Sequence, residues 1–300
     1  MRSICKIFFL LALLPGVCSA AALQDPYGIC THLSRSEWQF SGETFQALRQ
    51  LGCRWIRTDF DWAQTEPTPG RWEFRHLDRL CAAAQKEHVN ILPILDYDVP
   101  WAAPAWKNLD RWKHYVRTVV SRYPQLSYWE VWNEPNLPHF WPSPNPEHYT
   151  LLLKETYTLL KQLNPSIKVL YAGTAGIPYP FIEASLKAGA GNFFDIMNIH
   201  PYNWQSPPEV LLHDLRKLRR LMRQYQIADK PIWITEVSWS TAGSRRIFPL
   251  LLPRVLQKIG CPPDTPIAVI HDPDRGISSI GTSYVKENLD LFRNITYRKL

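Results

Sequence analysis

An α/β barrel of the (β/α)8 type is the fold class this sequence predicts, and three observations predict it. Short, nearly continuous apolar runs alternate in strict order with longer segments of helical periodicity, from residue 27 to residue 237. Runs that are apolar on both faces, at this rhythm, belong to a parallel sheet covered by helices. Thr31-His32-Leu33-Ser34 follows the first run, where a doubly wound sheet would usually carry a Gly-rich loop. Polar and aromatic residues gather at the C-terminal ends of the runs: His32, Arg57 with Asp59 and Asp61, Asp96 with Tyr97, Asn133 with Glu134, His200 with Tyr202, and Glu236. A barrel builds its site from those ends.

Taken in order, residues 1–20 are set aside from the fold. Arg2 and Lys6 make a basic start, Ile7 to Leu14 form a short apolar run, and Cys18-Ser19-Ala20 supplies small residues for cleavage near Ala20 or Ala22. That is the pattern of a secretory signal peptide, and the run is too short to span a bilayer. Gly16-Val17 is a poor lipobox before Cys18, which argues against a lipoprotein. The expectation is a secreted or periplasmic protein, with no stable membrane insertion once the signal is removed.

The first strand is expected at 27–32, then a helix at 42–51 with Phe45, Leu48 and Leu51 on one face. A strand at 53–60, turn residues at 66–70 and a helix at 74–87 follow, the helix carrying Leu77, Leu80, Cys81 and Ala84 at three- and four-residue spacing. Next come a strand at 89–95 and a helix within 101–123 built on Trp112, Tyr115, Val116 and Val119. The run from Tyr128 to Asn133 is aromatic and β-branched and stops before the breaker Pro135. A helix at 147–163, a strand at 167–172, a helix at 181–188, a strand at 194–200, a helix at 210–225 and a strand at 231–237 bring the total to seven strands and six helices. Beyond Glu236 the pattern weakens. Residues 240–246 read as a polar loop, Pro249 and Pro253 interrupt a helical stretch at 247–259, 266–271 is a strand, and 284–292 is helical. The barrel is therefore placed at 21–245. Residues 246–300 are either its last βα unit or the start of a truncated second α/β domain.

Composition narrows the class. A chain of 300 residues with 45% hydrophobic content suits one large domain with a proper core, or one domain and a fragment of another. The formal charge of +7 includes Arg2 and Lys6 of the leader. The densest basic run, 216–223, has leucines at helical spacing and reads as the solvent face of an amphipathic helix. Nothing pairs it with nucleic-acid-reading aromatics, so no nucleic-acid partner is expected. Cys30, Cys53, Cys81 and Cys261 follow the leader without a CxxC or Cys/His cluster, so no metal site is expected. A disulfide between Cys30 and Cys53 suits the compartment, with buried free thiols as the favoured reading.

Glu134 and Glu236 each end an apolar strand, the fourth and the seventh, and lie three strand–helix units apart. Strands four and seven face each other across an eight-stranded ring, so the two carboxylates converge over its mouth. A pair about 5–5.5 Å apart suits retaining glycoside hydrolysis, and one about 6.5–9.5 Å apart suits inversion. Trp132-Asn133-Glu134-Pro135 resembles the acid/base motif of the retaining clan A glycoside hydrolases, and Trp233-Ile234-Thr235-Glu236 resembles their nucleophile strand. The longer string Tyr128 to Trp141, Leu163-Asn164-Pro165 and His200-Pro201-Tyr202 resemble glycoside hydrolase family 39 over about residues 27–240.

The resemblance implies Glu134 as acid/base and Glu236 as nucleophile, with no cofactor. It implies that Asn133 bonds the sugar 2-hydroxyl, that Arg57 and Tyr202 hold the nucleophile, and that His200 lines the same subsite. Trp239 is expected as a sugar platform, with His32, Tyr97 and Trp101 as further substrate-binding residues. Trp62, Trp101 and Trp141 sit on mouth-side loops where stacking on sugar is plausible, whereas Trp55, Trp129 and Trp233 are expected in the core. The implied partner is a β-linked oligo- or polysaccharide, the oligomeric state is left open, and the alternatives are a transglycosylase or a non-hydrolytic glycan-binding barrel. Mouth-side tryptophans hint at endo action. Exo-acting β-xylosidase or iduronidase chemistry is the alternative within the resembled family. Asn294-Ile295-Thr296 is a glycosylation sequon usable in a eukaryotic host.

Overall fold

The protein is described by a computed structural model over residues 28–34, 42–50, 53–202 and 209–237. The expected signal peptide, Trp239, the strand at 266–271, the segments 246–300 and the sequon lie outside the described residues. Eight strand segments are present: β1 (Gly28–Cys30), β2 (Trp55–Asp59), β3 (Asn90–Leu95), β4 (Tyr128–Val131), β5 (Lys168–Leu170), β6 (Thr174–Ala175), β7 (Met197–His200) and β8 (Ile232–Ile234). Between them run α1 (Gly42–Gln50), α2 (Trp62–Thr65), α3 (Arg75–Lys86), α4 (Leu109–Arg122), α5 (Pro146–Leu163), α6 (Tyr179–Lys187) and α7 (Glu209–Gln224).

Every strand pair is parallel and each strand pairs with its neighbour in sequence, in the orders β1-β2-β3-β4-β5 and β6-β7-β8. β5 lies within the strand expected at 167–172, and β6 is a further short segment just beyond its end. Bridges from Leu170 to Ile196 and from Asn133 to Gly173 carry the pairing across the break. The seven expected strands are therefore all found, as one continuous parallel surface.

That surface has two cores, one on each side. Outside it, Ile56, Trp129, Val131 and Val169 pack against the helices through Leu77, Trp112, Val116 and Leu152. On the other face Trp55, Leu92, Leu170, Ile196 and Trp233 form a separate buried cluster with Tyr128 against it. Those residues come from strands spread across the whole sheet. They can meet only if the sheet curls around them, as twisted, tilted strands do when they approach a barrel. The curl brings the two edges together: Cys30 Sγ at the end of β1 lies 3.6 Å from Glu236 Oε1 just past β8. Among the described residues no backbone pairing joins β8 to β1.

Helix α4 at Leu109–Arg122 falls within the stretch expected to hold it, and before it the Asp98 carboxylate takes the Ala105 amide at 2.7 Å and holds a separate turn over Ala105–Lys107. The extra one-turn α2 is capped by Asp61, which accepts from the Gln64 amide at 2.9 Å. Helix α5 begins as its sequence suggests: Asn145 accepts from the His148 amide at 2.7 Å, with Pro146 in the first turn. Cys30, Cys53 and Cys81 are free thiols, so no disulfide joins the first two strands. Burial pushes the Cys53 and Cys81 thiols up to about 12.

Candidate active site

Side chains alternate along a strand, so residues two apart share a face. Trp55 faces the inner cluster, which puts Arg57 and Asp59 on the same inner side one and two steps higher. Tyr128 does the same for Glu130. Above the aromatic layer the inner face therefore turns polar.

Arg57 is the hub of that layer and is 3% exposed. Its Nε donates to Glu130 Oε2 at 2.7 Å and its Nη2 to Glu130 Oε1 at 2.8 Å, a two-pronged charge-assisted pair. Nη2 also donates to Asn133 Oδ1 at 2.8 Å, and Nη1 donates to Glu236 Oε1 at 2.5 Å and to Cys30 Sγ at 3.4 Å. Burial alone would lower the proton affinity of the guanidinium. Glu130 first, and then Glu236, hold it well above its ordinary range instead.

The fourth strand ends in unusual backbone. Trp132 and Glu134 adopt φ of 71° and 45°, in the left-handed region that side chains other than glycine rarely enter. The kink turns Glu134 over the mouth, and four bonds hold the turn in place. The Glu134 amide donates to the Gly173 carbonyl at 2.9 Å, and the Gly173 amide donates to Glu130 Oε1 at 2.9 Å. Asn136 exchanges two 3.0 Å bonds with the Ala175 backbone. Gly173 is required here for space: a Cβ at that position would stand 1.9 Å from His200 Nε2.

His200, fully buried at the end of β7, links the two carboxylates. Its Nδ1 lies 2.9 Å from Glu134 Oε1 and 3.9 Å from Glu236 Oε2. The Tyr202 hydroxyl donates to Glu236 Oε2 at 2.7 Å. Burial, then the Glu236 charge, raises the Tyr202 phenol far above its usual range, so it stays a donor. Both Glu236 oxygens are thus engaged, one by Arg57 and Cys30, the other by Tyr202. Burial, then Glu236, likewise raises the Cys30 thiol, so it sits there as a neutral S–H. One atom each from Glu134, His200 and Glu236 lie within 4.8 Å of one another, a cluster that could take a cation. Each is already held by protein hydrogen bonds, and Arg57 sets a fixed positive charge against Glu236.

Of the residues expected at the site, Arg57, Asn133, Glu134, His200, Tyr202 and Glu236 are brought together. His32 stands beside them, its Nδ1 3.3 Å from Asp59 Oδ2. Tyr97 is half-buried, stacked on Phe140 and edge-on to Trp132; burial, then Asp96, raises its phenol. Trp101 is half-buried, with its indole edge-on against Trp62 and its Nε1 donating to the Glu66 carbonyl at 3.3 Å. Trp62 and Trp141 are buried and cannot stack on a sugar. Both are drawn into an aromatic file with Trp112, Tyr115 and Trp132 under the loops. Trp55, Trp129 and Trp233 are core residues, as expected. The sequence reading passed over Glu130, Cys30, Gly173, Asn198 and Thr235. Glu130 had a signal, being a charge in mid-strand two residues after an inward aromatic.

The geometry agrees with what known proteins resemble this chain. The family model described as beta-galactosidase, glycoside hydrolase family 42, matches residues 31–108. A beta-xylosidase of Geobacillus stearothermophilus is 27% identical over 45% of this chain and 32% of its own length. A probable mannan endo-1,4-beta-mannosidase C of Aspergillus terreus is 28% identical over 45% of this chain and 38% of its own. Among solved structures, a family 39 glycoside hydrolase from Bacteroides cellulosilyticus superposes with a TM-score of 0.67 at 23% identity, covering 85% of this chain and 58% of that one. A family 39 beta-xylosidase from Caulobacter crescentus gives 0.62 at 20% identity, over 82% and 62%. The chain spans about a third of the length of these curated relatives and about three fifths of the solved chains. In sequence motif and in fold, then, this chain is similar to the clan A glycoside hydrolases, and to family 39 among them.

Proposed function

We propose that this chain is the catalytic barrel of a retaining glycosidase that hydrolyses a β-linked oligo- or polysaccharide outside the cytoplasm. The observation that carries the proposal is the pair of carboxylates on either side of His200, with an oxygen of Glu134 and one of Glu236 within 4.8 Å. An approach that close is nearer the roughly 5–5.5 Å separation of a retaining pair of carboxyl groups than the roughly 6.5–9.5 Å of an inverting pair. Closure of the ring by a further strand after Glu236 belongs to the same proposal.

The roles follow from the bonds. Arg57 and Tyr202 keep Glu236 ionised and fix the direction of its lone pairs. Glu236 attacks the anomeric carbon while Glu134 gives its proton to the departing glycosidic oxygen, which leaves with the bonding pair. The glycosyl ester then forms on Glu236. In the second half Glu134 takes a proton from water, and the hydroxide oxygen bonds the anomeric carbon as the ester breaks. Asn133 has its carbonyl oxygen tied to Arg57, so its NH2 serves the sugar 2-hydroxyl, a bond that strengthens as the oxocarbenium-like state develops.

The test is a panel of β-linked glycans and aryl glycosides with product masses, run on the full chain and on Glu236→Ala with azide. Hydrolysis by the native chain is expected, lost in the variant and replaced by an azide adduct of inverted anomeric configuration. Absence of turnover on every panel member, or undiminished turnover by the variant, would sink the proposal.

A further inference from the structure

A polar file runs behind Glu134, away from the mouth. Thr235, next to Glu236, is 4% exposed; Asn198, on β7, and His200 are fully buried. The Thr235 hydroxyl donates to Asn198 Oδ1 at 2.9 Å. Having spent its proton there, Thr235 Oγ1 can only accept from the next atom along, His200 Nε2, at 3.0 Å. An imidazole with one proton on Nε2 presents a bare lone pair at Nδ1. The atom facing that lone pair at 2.9 Å is Glu134 Oε1. Two acceptors cannot share one contact without a proton between them, so for a neutral ring carrying its proton on Nε2 the proton in this contact belongs to the Glu134 carboxyl.

We propose that Asn198 and Thr235 are positioning residues that fix His200 with its proton on Nε2, and so hold Glu134 as the acid partner in the resting protein. Asn198 ends the file as an acceptor through Oδ1, and its amide nitrogen is buried with no hydrogen-bond partner among the described residues. Gly173 leaves the room His200 needs to stand in line. Other charges face the pair from several strands: Glu236 and Tyr202 directly, and Arg57, Glu130 and Cys30 one contact further. Glu134 and Glu236 face Nδ1, and among the described residues the file through Thr235 is what meets Nε2. When Glu134 has given up its proton, its carboxylate faces a lone pair, which favours early recovery of a proton from the incoming water. This last consequence rests on the reading of Glu134 as acid/base; the tautomer does not.

The experiment is therefore read first without a substrate. In 15N-histidine-labelled full chain, the ring nitrogens of His200 are assigned by their loss in His200→Gln. The expected result is a neutral ring with the proton on Nε2. Thr235→Ser should keep that pattern, and Thr235→Val should lose it, turning the ring to the Nδ1–H form. Asn198→Asp, an acceptor with no NH2, should also keep the Nε2–H pattern, and it covers the case in which the valine variant does not fold. A native ring protonated on Nδ1 or on both nitrogens would overturn the proposal, as would reversal of the tautomer in Asn198→Asp. In the kinetic arm, Thr235→Val should move the alkaline limb of the kcat/KM profile by at least half a pH unit on any panel glycoside that is cleaved, with Thr235→Ser matching the native profile. An unmoved limb alongside a changed tautomer overturns the catalytic part. Failure of glycoside hydrolysis itself is read separately, from the native chain on the panel.

Discussion

The inner face of the curled sheet has two layers built from the same strands, and they are opposites. The lower one is Trp55, Tyr128 and Trp233 in mutual contact, with ring centroids 5.2 to 5.7 Å apart, over Leu92, Leu170 and Ile196. The upper one, two residues further along, is Arg57, Glu130, Thr235 and Asn198. Nothing in the backbone distinguishes them. The apolar layer needs only volume and shape, and it fills the lower part of the curled sheet's inner face. The polar layer is held by paired contacts, Arg57 with Glu130 and Thr235 with Asn198, which position side chains below the mouth. The lesson is that the positioning useful for catalysis and the packing useful for stability are separated by a single step of strand alternation.

Arg57→Ala should break the upper layer most severely. It leaves Glu130 buried without its counter-charge, which costs about 3–5 kcal/mol, and removes a donor from Glu236, for a loss of about 10²–10³ in kcat. Urea denaturation and panel kinetics would show both together. Leu170→Ala tests the lower layer. A loss of about 2–5 kcal/mol is expected from a fully buried leucine, with kcat near native at temperatures where the variant stays folded. If kcat falls as far as in Arg57→Ala, the two layers are not separable.

Asp96 sharpens the comparison from a third strand. It follows Ile94 on the inner register of β3, is fully buried, and neither of its oxygens has a hydrogen-bond partner among the described residues. Burial, then Asp59 and Asp61, raise its carboxyl well above the usual range. For an acid raised in the folded state, the unfolded chain gives up its proton first, so stability falls as pH climbs from the ordinary carboxylate value toward the folded one. Asp96→Asn should remove that decline and stabilise the protein by about 1–3 kcal/mol at neutral pH. Thermal melts at pH 4 and pH 8 read this directly: the gap between native and variant should widen at the higher pH. The smallest effect is expected from Cys30→Ala. Its thiol is a weak donor beside a carboxylate already held by Arg57 and Tyr202, so kcat/KM should fall by less than about tenfold, or ~1.4 kcal/mol.

Much of this arrangement is legible from residues in order. The apolar runs announce all seven described strands because a sheet covered on both faces demands apolar side chains at nearly every position. A carboxylate ending such a run, as in Glu134 and Glu236, stands out for the same reason. The aromatic assignments were less secure. Trp62 and Trp141 lie on mouth-side loops, yet both turn under those loops. A tryptophan's chain position says which loop carries it but not which side of the loop it covers.

What the sequence determines by itself is the alternation, the strand count and the identity of the two carboxylates, since periodicity and local composition are properties of neighbours along the chain. The tertiary structure alone decides the spacing of Glu134 and Glu236, the pairing of Glu130 with Arg57, the need for glycine at 173 and the file from Asn198 to His200. Those features join residues many tens of positions apart, brought within hydrogen-bond reach by the curl of the sheet. Curl is a sum of small twists over every strand, and no single stretch of sequence contains it.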